Sequence, residues 1–166
     1  MIQQPIHNLL KRCLVIGLLS TIFLMQSCRQ ETLLEENKII ENRQWRYADK
    51  AIFKVQVNNH QEPYNLFVNF RHTASYRYAN LFVLIHQINP DKKRVTRRLE
   101  FTLAHPDGQW IGLGSGNIIN YQAVVKKQFQ FPANGIYYFE IEQNMRDNPL
   151  KEILDVGLTI APFKAQ

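Results

Sequence analysis

The sequence predicts an all-β fold, an antiparallel β-sandwich of jelly-roll-like form, over residues 45–166. Three observations carry that expectation. Apolar residues recur at every second position in several short runs, the period of a half-buried strand. Clusters of turn-forming residues separate the runs at intervals suited to a sandwich or a jelly roll. No long amphipathic helical pattern and no internal repeat competes with them.

The chain opens with residues 1–27, in which Lys11 and Arg12 precede the apolar run from Cys13 to Met25. That run is too short for a bilayer span, which takes roughly 20 apolar residues, and suits the core of a signal peptide. It ends in Leu24-Met25-Gln26-Ser27-Cys28, which looks like a lipobox, the element in which the cysteine is acylated and becomes the new first residue. Gln26 stands where the pattern prefers a small residue. The competing readings are a secretory signal cut elsewhere and an uncleaved anchor. Several acyl chains on Cys28 would hold the protein to a membrane, since each buried methylene contributes about 0.8 kcal/mol and one chain alone is marginal. Residues 28–44 are polar apart from Leu33, Leu34, Ile39 and Ile40, and are expected to form a partly disordered tether with a short helix or an early strand.

Strand patterns begin after Trp45. In Ala51–Val57, Phe53, Val55 and Val57 share one face and Lys54 and Gln56 the other. Tyr64–Phe70 repeats the pattern with Leu66, Val68 and Phe70 inward. Leu81–Ile85 is apolar throughout, as a central strand covered on both faces would be. Val95–Leu103 places Leu99, Phe101 and Leu103 in phase, Phe129 and Phe131 follow, and Ile136–Ile141 and Ile153–Ile160 close the set. Turns are expected at Asn58-Asn59, at Asn89-Pro90-Asp91, from His105 to Gly108, from Pro132 to Gly135 and from Asp147 to Pro149.

Without residues 1–27 the chain is one domain long, enough to bury roughly two-thirds of its unfolded surface. Loss of Lys11 and Arg12 reduces the formal charge from +6 to +4. In a secreted protein this excess suits acidic headgroups, anionic glycans or acidic proteins, and not nucleic acid. Cys13 leaves with the signal and Cys28 carries lipid, so no pair remains for a disulfide and packing must hold the fold.

Catalytic and metal chemistry find little support. His60, His72, His86 and His105 are scattered without metal-ligand spacing, so neither a metal nor another cofactor is expected. Gly112-Leu-Gly-Ser-Gly116 lacks the glycines that a nucleophile elbow needs around Ser115 and reads as a loop or bulged strand. Asp107-Gly108-Gln109-Trp110 reads first as a turn whose Trp110 caps the core. Its second reading is a sugar-stacking indole beside the Asp107 carboxylate, a possible glycan contact. The basic run Lys92-Lys93-Arg94 with Arg97-Arg98 reads as a charged hairpin tip and a guarded edge strand, with contact to anionic lipid or an acidic partner as the alternative. Arg146 and Asp147 lie between two strands, where they could brace the loop or present a protein-contact patch.

Several stretches together resemble one family. They are Tyr64 to Arg71, Tyr76-Arg-Tyr78, Asn80-Leu-Phe82, Leu103 to Gly116 with its Asp107-Gly-Gln-Trp110 core, Phe131-Pro132 with Gly135 to Phe139, and Gln143 to Arg146 with Asp155 to Leu158. In order and spacing these are similar to the gliding motility lipoprotein GldH family over nearly the whole chain after Cys28. Two departures are Arg97-Arg98-Leu99, where the family pattern has Asp-Thr-Leu, and Lys151-Glu152, where it has glycine. The resemblance implies a cell-envelope lipoprotein, expected in the outer membrane, with its lipid on Cys28 and with no assigned catalytic residue.

The expected function is therefore that of a non-enzymatic assembly component of a gliding machinery. It would hold the membrane through its N-terminal lipid and bind other lipoproteins or membrane proteins of that machinery. A carbohydrate-binding module using Asp107 and Trp110 is the alternative, and a hydrolase comes last.

Overall fold

The computed structural model describes residues 32–164; residues 1–27, expected to be a signal peptide, and Cys28 lie outside the described residues. The strands follow in chain order as β1 (Leu34–Ile39), β2 (Gln44–Trp45), β3 (Ala51–Val57), β4 (Tyr64–Thr73), β5 (Asn80–Ile88) and β6 (Arg94–Thr102). After them come β7 (Leu113–Ser115), β8 (Ile118–Phe129), β9 (Gly135–Gln143), β10 (Leu150–Lys151) and β11 (Ile153–Pro162).

The long strands pair in a nested way, all antiparallel: β1 with β11, β3 with β9, β4 with β8, and β5 with β6. The chain is thus one long ribbon doubled back at the β5–β6 hairpin. Successive ribbon segments then go to opposite sheets. β11 pairs with β4, giving the order β1-β11-β4-β8-β7, and β9 pairs with β5, giving β3-β9-β5-β6. This nesting is the jelly roll, a double-sheet answer to the problem of exposed edges. β2 and β10 form a small separate ladder, Trp45 opposite Leu150, and the Trp45 indole N–H donates to the Asp49 carbonyl at 2.7 Å.

The core lies between the inner faces. Leu66, Val68 and Phe70 of β4 and Val156, Leu158 and Ile160 of β11 are buried, as are Phe53, Val55, Leu81, Val83, Tyr137, Phe139 and Ile141 of the facing sheet. Phe70 meets Phe101 across the gap with centroids 5.3 Å apart. Each such side chain contributes about 1.5–3 kcal/mol when fully removed from water, which is why the described residues, none of them cysteine, can hold this shape by packing.

The structure departs from the expected layout in three places. The segment expected as a partly disordered tether with a short helix or an early strand carries the strand and is folded from Leu33 onward: Leu33 donates its N–H to Ile160, and β1 pairs with β11 from Leu34 to Ile39. The domain therefore begins before Trp45, because the β11 backbone offers an edge that recruits these residues. Second, β5 is not covered on both faces. Leu81, Val83 and Ile85 are buried, whereas Phe82 and Leu84 are half-exposed on the outer face, where the Arg98 guanidinium lies 4.0 Å from the Phe82 ring centroid. Third, β8 spans residues the periodicity does not mark. Phe67 faces Val124 and Leu66 faces Lys126, so Val125 is a bulge residue without a partner. A bulge shifts the alternation by one, and Lys126 takes the inward position opposite buried Leu66.

Candidate functional site

The loop after β6 is set by its glycine. Gly108 has φ +87°, a left-handed conformation open to glycine, and its N–H donates to the His105 carbonyl at 2.9 Å. One Asp107 carboxylate oxygen accepts the Gln109 N–H at 3.0 Å, so this exposed side chain closes its own turn. The chain then returns: Ala104 and Trp110 form a single bridge, and Ile111 donates to the Leu103 carbonyl.

Trp110 is half-buried against two aromatic rings. Its ring stands 4.7 Å from His72 in an edge contact and 6.3 Å from Tyr76. His72 follows Leu66, Val68 and Phe70 in the inward phase of β4 and is fully buried. Its Nδ1 lies 2.9 Å from the Thr73 carbonyl, and its Nε2 has no hydrogen-bond partner among the described residues. Burial lowers its pKa, and the Thr73 carbonyl only partly offsets this. The ring is therefore neutral, with Nδ1–H donating to the carbonyl. These neighbours cover part of the indole, in keeping with the capping role, and leave part of it exposed.

The aromatic chain continues. Tyr76 donates its hydroxyl to the Asn80 carbonyl at 3.0 Å and packs edge-on against Tyr78 at 5.8 Å. Tyr78 in turn donates to an Asp147 carboxylate oxygen at 2.7 Å. Asp147 carries the cis Asn148–Pro149 bond just beyond it, and its carbonyl accepts from the buried Gln143 side chain at 2.9 Å. Arg146 is exposed, and its carbonyl lies 3.3 Å from the Tyr47 hydroxyl. The structure thus links Trp110 to the 146–147 loop through His72, Tyr76 and Tyr78, while Asp107 stays in its own turn. An open groove of about 610 Å³ runs along this end of the sandwich, with Arg77, Tyr78, Asp147 and Lys151 in its lining.

His72, Tyr76 and Tyr78 are the members that a search for catalytic or metal patterns passes over. The available signal was the phase of β4, which carries the inward positions past Phe70 to residue 72. Among the described residues no group of three metal-ligating side chains comes together.

The basic run divides by strand phase. β6 is an edge strand of its sheet. Arg94 pairs with Glu140 at 2.9 Å, Arg98 donates to Asn144 at 2.7 Å, and Lys93 pairs with Asp91 in the hairpin turn. Arg97 instead shares the phase of Leu99 and Phe101, opposite Ile85. Charge on an edge strand guards it against pairing with another chain.

Comparison with known proteins bears on this architecture. The GldH lipoprotein family model matches residues 32–160. The gliding motility lipoprotein GldH homolog of Christiangramia forsetii is 31% identical over 147 residues, covering 84% of this chain and 90% of that protein. The gliding motility lipoprotein GldH of Flavobacterium johnsoniae is 29% identical over 150 residues, covering 86% of this chain and 92% of that protein. A crystal structure of the infectious bursal disease virus VP2 subviral particle aligns with a TM-score of 0.31 at 10% identity, over 80% of this chain and 30% of that one. The family match runs from the residue before Leu33 into β11, across both sheets, and the chain belongs to the GldH lipoprotein family.

Proposed function

We propose that the protein is a subunit of the gliding machinery, lipid-anchored in the outer membrane through Cys28, that works by docking other lipoproteins or membrane proteins and not by catalysis. The observation that carries this reading is the start of the fold. Leu33 is already hydrogen-bonded to Ile160 at 2.8 Å, five residue steps after Cys28. An extended chain of that length spans at most about 18 Å. The domain would therefore ride close to the membrane, with its encounter volume reduced to a thin layer in which a weak interface suffices.

The outer face of β3 and β9 offers a surface of suitable composition. Ile52, Ile136 and Tyr138 are 49%, 39% and 40% exposed there, interleaved with Lys54, Gln56 and Glu140. Mixed apolar and polar surface of this kind is typical of non-obligate interfaces.

The test is affinity purification of the tagged full chain from gently solubilised membranes, beside Cys28→Ala and Ile52→Glu/Tyr138→Glu forms. Gliding components should come with the wild type and be lost or much reduced in both variants. Equal recovery from the Cys28→Ala form would remove the anchored-assembly reading. Retention of glycan with no protein would replace it by a carbohydrate-binding one.

A further inference from the structure

Between the two sheets, below the β6 edge, lies an apolar cavity of about 220 Å³. Leu66, Ile85, Leu99, Val125, Phe129 and Phe139 form its walls. A cavity of about 150 Å³ lined by such side chains already takes a benzene, and a water-sized unit of liquid fills about 30 Å³. The space thus holds roughly seven methylene-sized units, most of a decanoate tail, with the last carbons and the head at the mouth.

Two cations also line it, one from each sheet. Arg97 arrives because β6 places it in phase with Leu99 and Phe101, and Lys126 because the Val125 bulge turns it inward. Lys126 is half-buried, with Nζ 4.2 Å from the centre of the Phe129 ring. Neither cation forms an ion pair with a carboxylate among the described residues. Burial and then the nearby Arg97 charge lower the Lys126 pKa, so the two cations sense each other. Edge protection explains one inward charge on β6. It does not explain a second cation of the same sign brought to the same cavity by a bulge in the opposite sheet, an arrangement that disfavours the Lys126 charge.

We propose that this cavity binds a single-chain anionic amphiphile, a medium-chain carboxylate whose acyl tail enters between the sheets and whose head lies between Arg97 and Lys126. The tail meets mostly apolar walls, Gln87 and Asn89 being the uncharged polar residues of the lining and bonded to each other, and the head converts a repulsive pair into two charge-assisted contacts. Register also places the cavity on a cross-sheet row that runs from Leu34 through Ile160 and Leu66 to Lys126. Three strand spacings make that row about 14 Å long. Lys126 therefore lies at the end of the sandwich where β1 begins. Nearness to a membrane rests on the anchor proposed above, whereas the ligand chemistry does not.

The test uses the full chain in native membranes and a diazirine-bearing decanoate as photo-label, with labelled peptides mapped by mass spectrometry. Label is expected on the segments containing Val95 to Leu99 and Val125 to Phe129, displaced by unlabelled decanoate. Leu99→Trp, which fills the cavity, should abolish the displaceable label. Arg97→Glu, at an exposed position that the fold does not need, should lower it about tenfold or more, as loss of a charged hydrogen bond implies. Limited proteolysis of both variants checks that the domain is folded. Label spread over the surface, or unchanged in both folded variants, would overturn the assignment. Equal displacement by decanol would overturn the role of the two cations, and displacement by phosphatidylglycerol vesicles alone would overturn the single-chain ligand.

Discussion

Ile39 and Ile40 are neighbours of identical chemistry that the structure separates completely. Ile39 ends β1 with 81% of its surface exposed, while Ile40 is 8% exposed, packs in the core and donates its N–H to the Leu154 carbonyl at 2.8 Å. If this segment were a loose tether, alanine at either position would be silent. Because the segment is part of the sheet, Ile40→Ala removes nearly a whole side chain from the core. At about 0.8 kcal/mol per methylene plus a cavity term, the expected loss is about 2–4 kcal/mol. For a domain of this size that lowers Tm by roughly 6–16 °C. Ile39→Ala should stay within about 0.5 kcal/mol of the parent. Urea unfolding of the chain lacking residues 1–28, followed by tryptophan fluorescence, measures both, with an unchanged m-value as the check that only stability moved. A silent Ile40→Ala, or equal losses at the two positions, would refute the argument that the fold begins ahead of Trp45.

Three further outcomes follow from the structure. His72 is buried with a lowered pKa, so the unfolded chain takes up a proton first as pH falls. Its contribution to stability is then complete above about pH 6.5 and is lost through the window below, by at most about 1.4 kcal/mol per pH unit. Denaturant melts at pH 7.5 and 5.0 should show that loss in the parent and a smaller one in His72→Phe; equal losses would assign it elsewhere. Gly112 has φ +132°, and an added Cβ would lie 2.4 Å from the Asn120 carbonyl oxygen, whereas Gly114 has open space. Gly112→Ala should cost about 1–3 kcal/mol or free β7 in hydrogen exchange, and Gly114→Ala should do neither. Arg98→Ala removes the cation over Phe82 and should cost about 0.5–1 kcal/mol in a thermal melt, with faster aggregation from the barer edge.

How legible the fold was in the sequence depended on whether each strand faced one core and one solvent. β3, β4 and β9 do, and their inward residues follow from alternation alone, whereas β11 is buried on both faces, with Asp155 and Thr159 covered as well as Leu158 and Ile160. β1 does not. Its positions turned to the sheet are Leu34, Glu36 and Lys38, and Lys38 reaches the Phe53 ring with Nζ 5.9 Å from its centre. A long charged side chain there covers apolar surface with its stem and leaves its head in water, so polarity stops reporting orientation. The adjacent Ile39 and Ile40 obscure the period further. What makes β1 a strand is the ladder that β11 offers, a tertiary fact that local propensity cannot contain. The strand order had no local signal either, since nested pairing joins residues at opposite ends of the chain.

The chemistry of the molecule was hidden by the same mechanism in a stronger form. Asp107, Trp110 and Arg146 stood out because turn residues and isolated aromatics draw attention; in the structure Asp107 closes its own turn and Trp110 stands half-buried against His72 and Tyr76. β8 went unmarked because Val124, Val125, Lys126 and Lys127 read as two apolar residues followed by two basic ones, with no period. Two register shifts account for that disorder: skipping Val125 assigns Lys126 to the inner face, opposite Leu66, and a second shift between Lys126 and Phe129 brings Phe129 inward. A half-buried lysine beside an apolar cavity is costly, and a sequence optimised for stability alone would place an apolar residue there. Local rules tend to fail where a protein has given up stability for a task. By that criterion the informative break in this chain is the bulge at Val125, with Arg97 arriving from the opposite sheet.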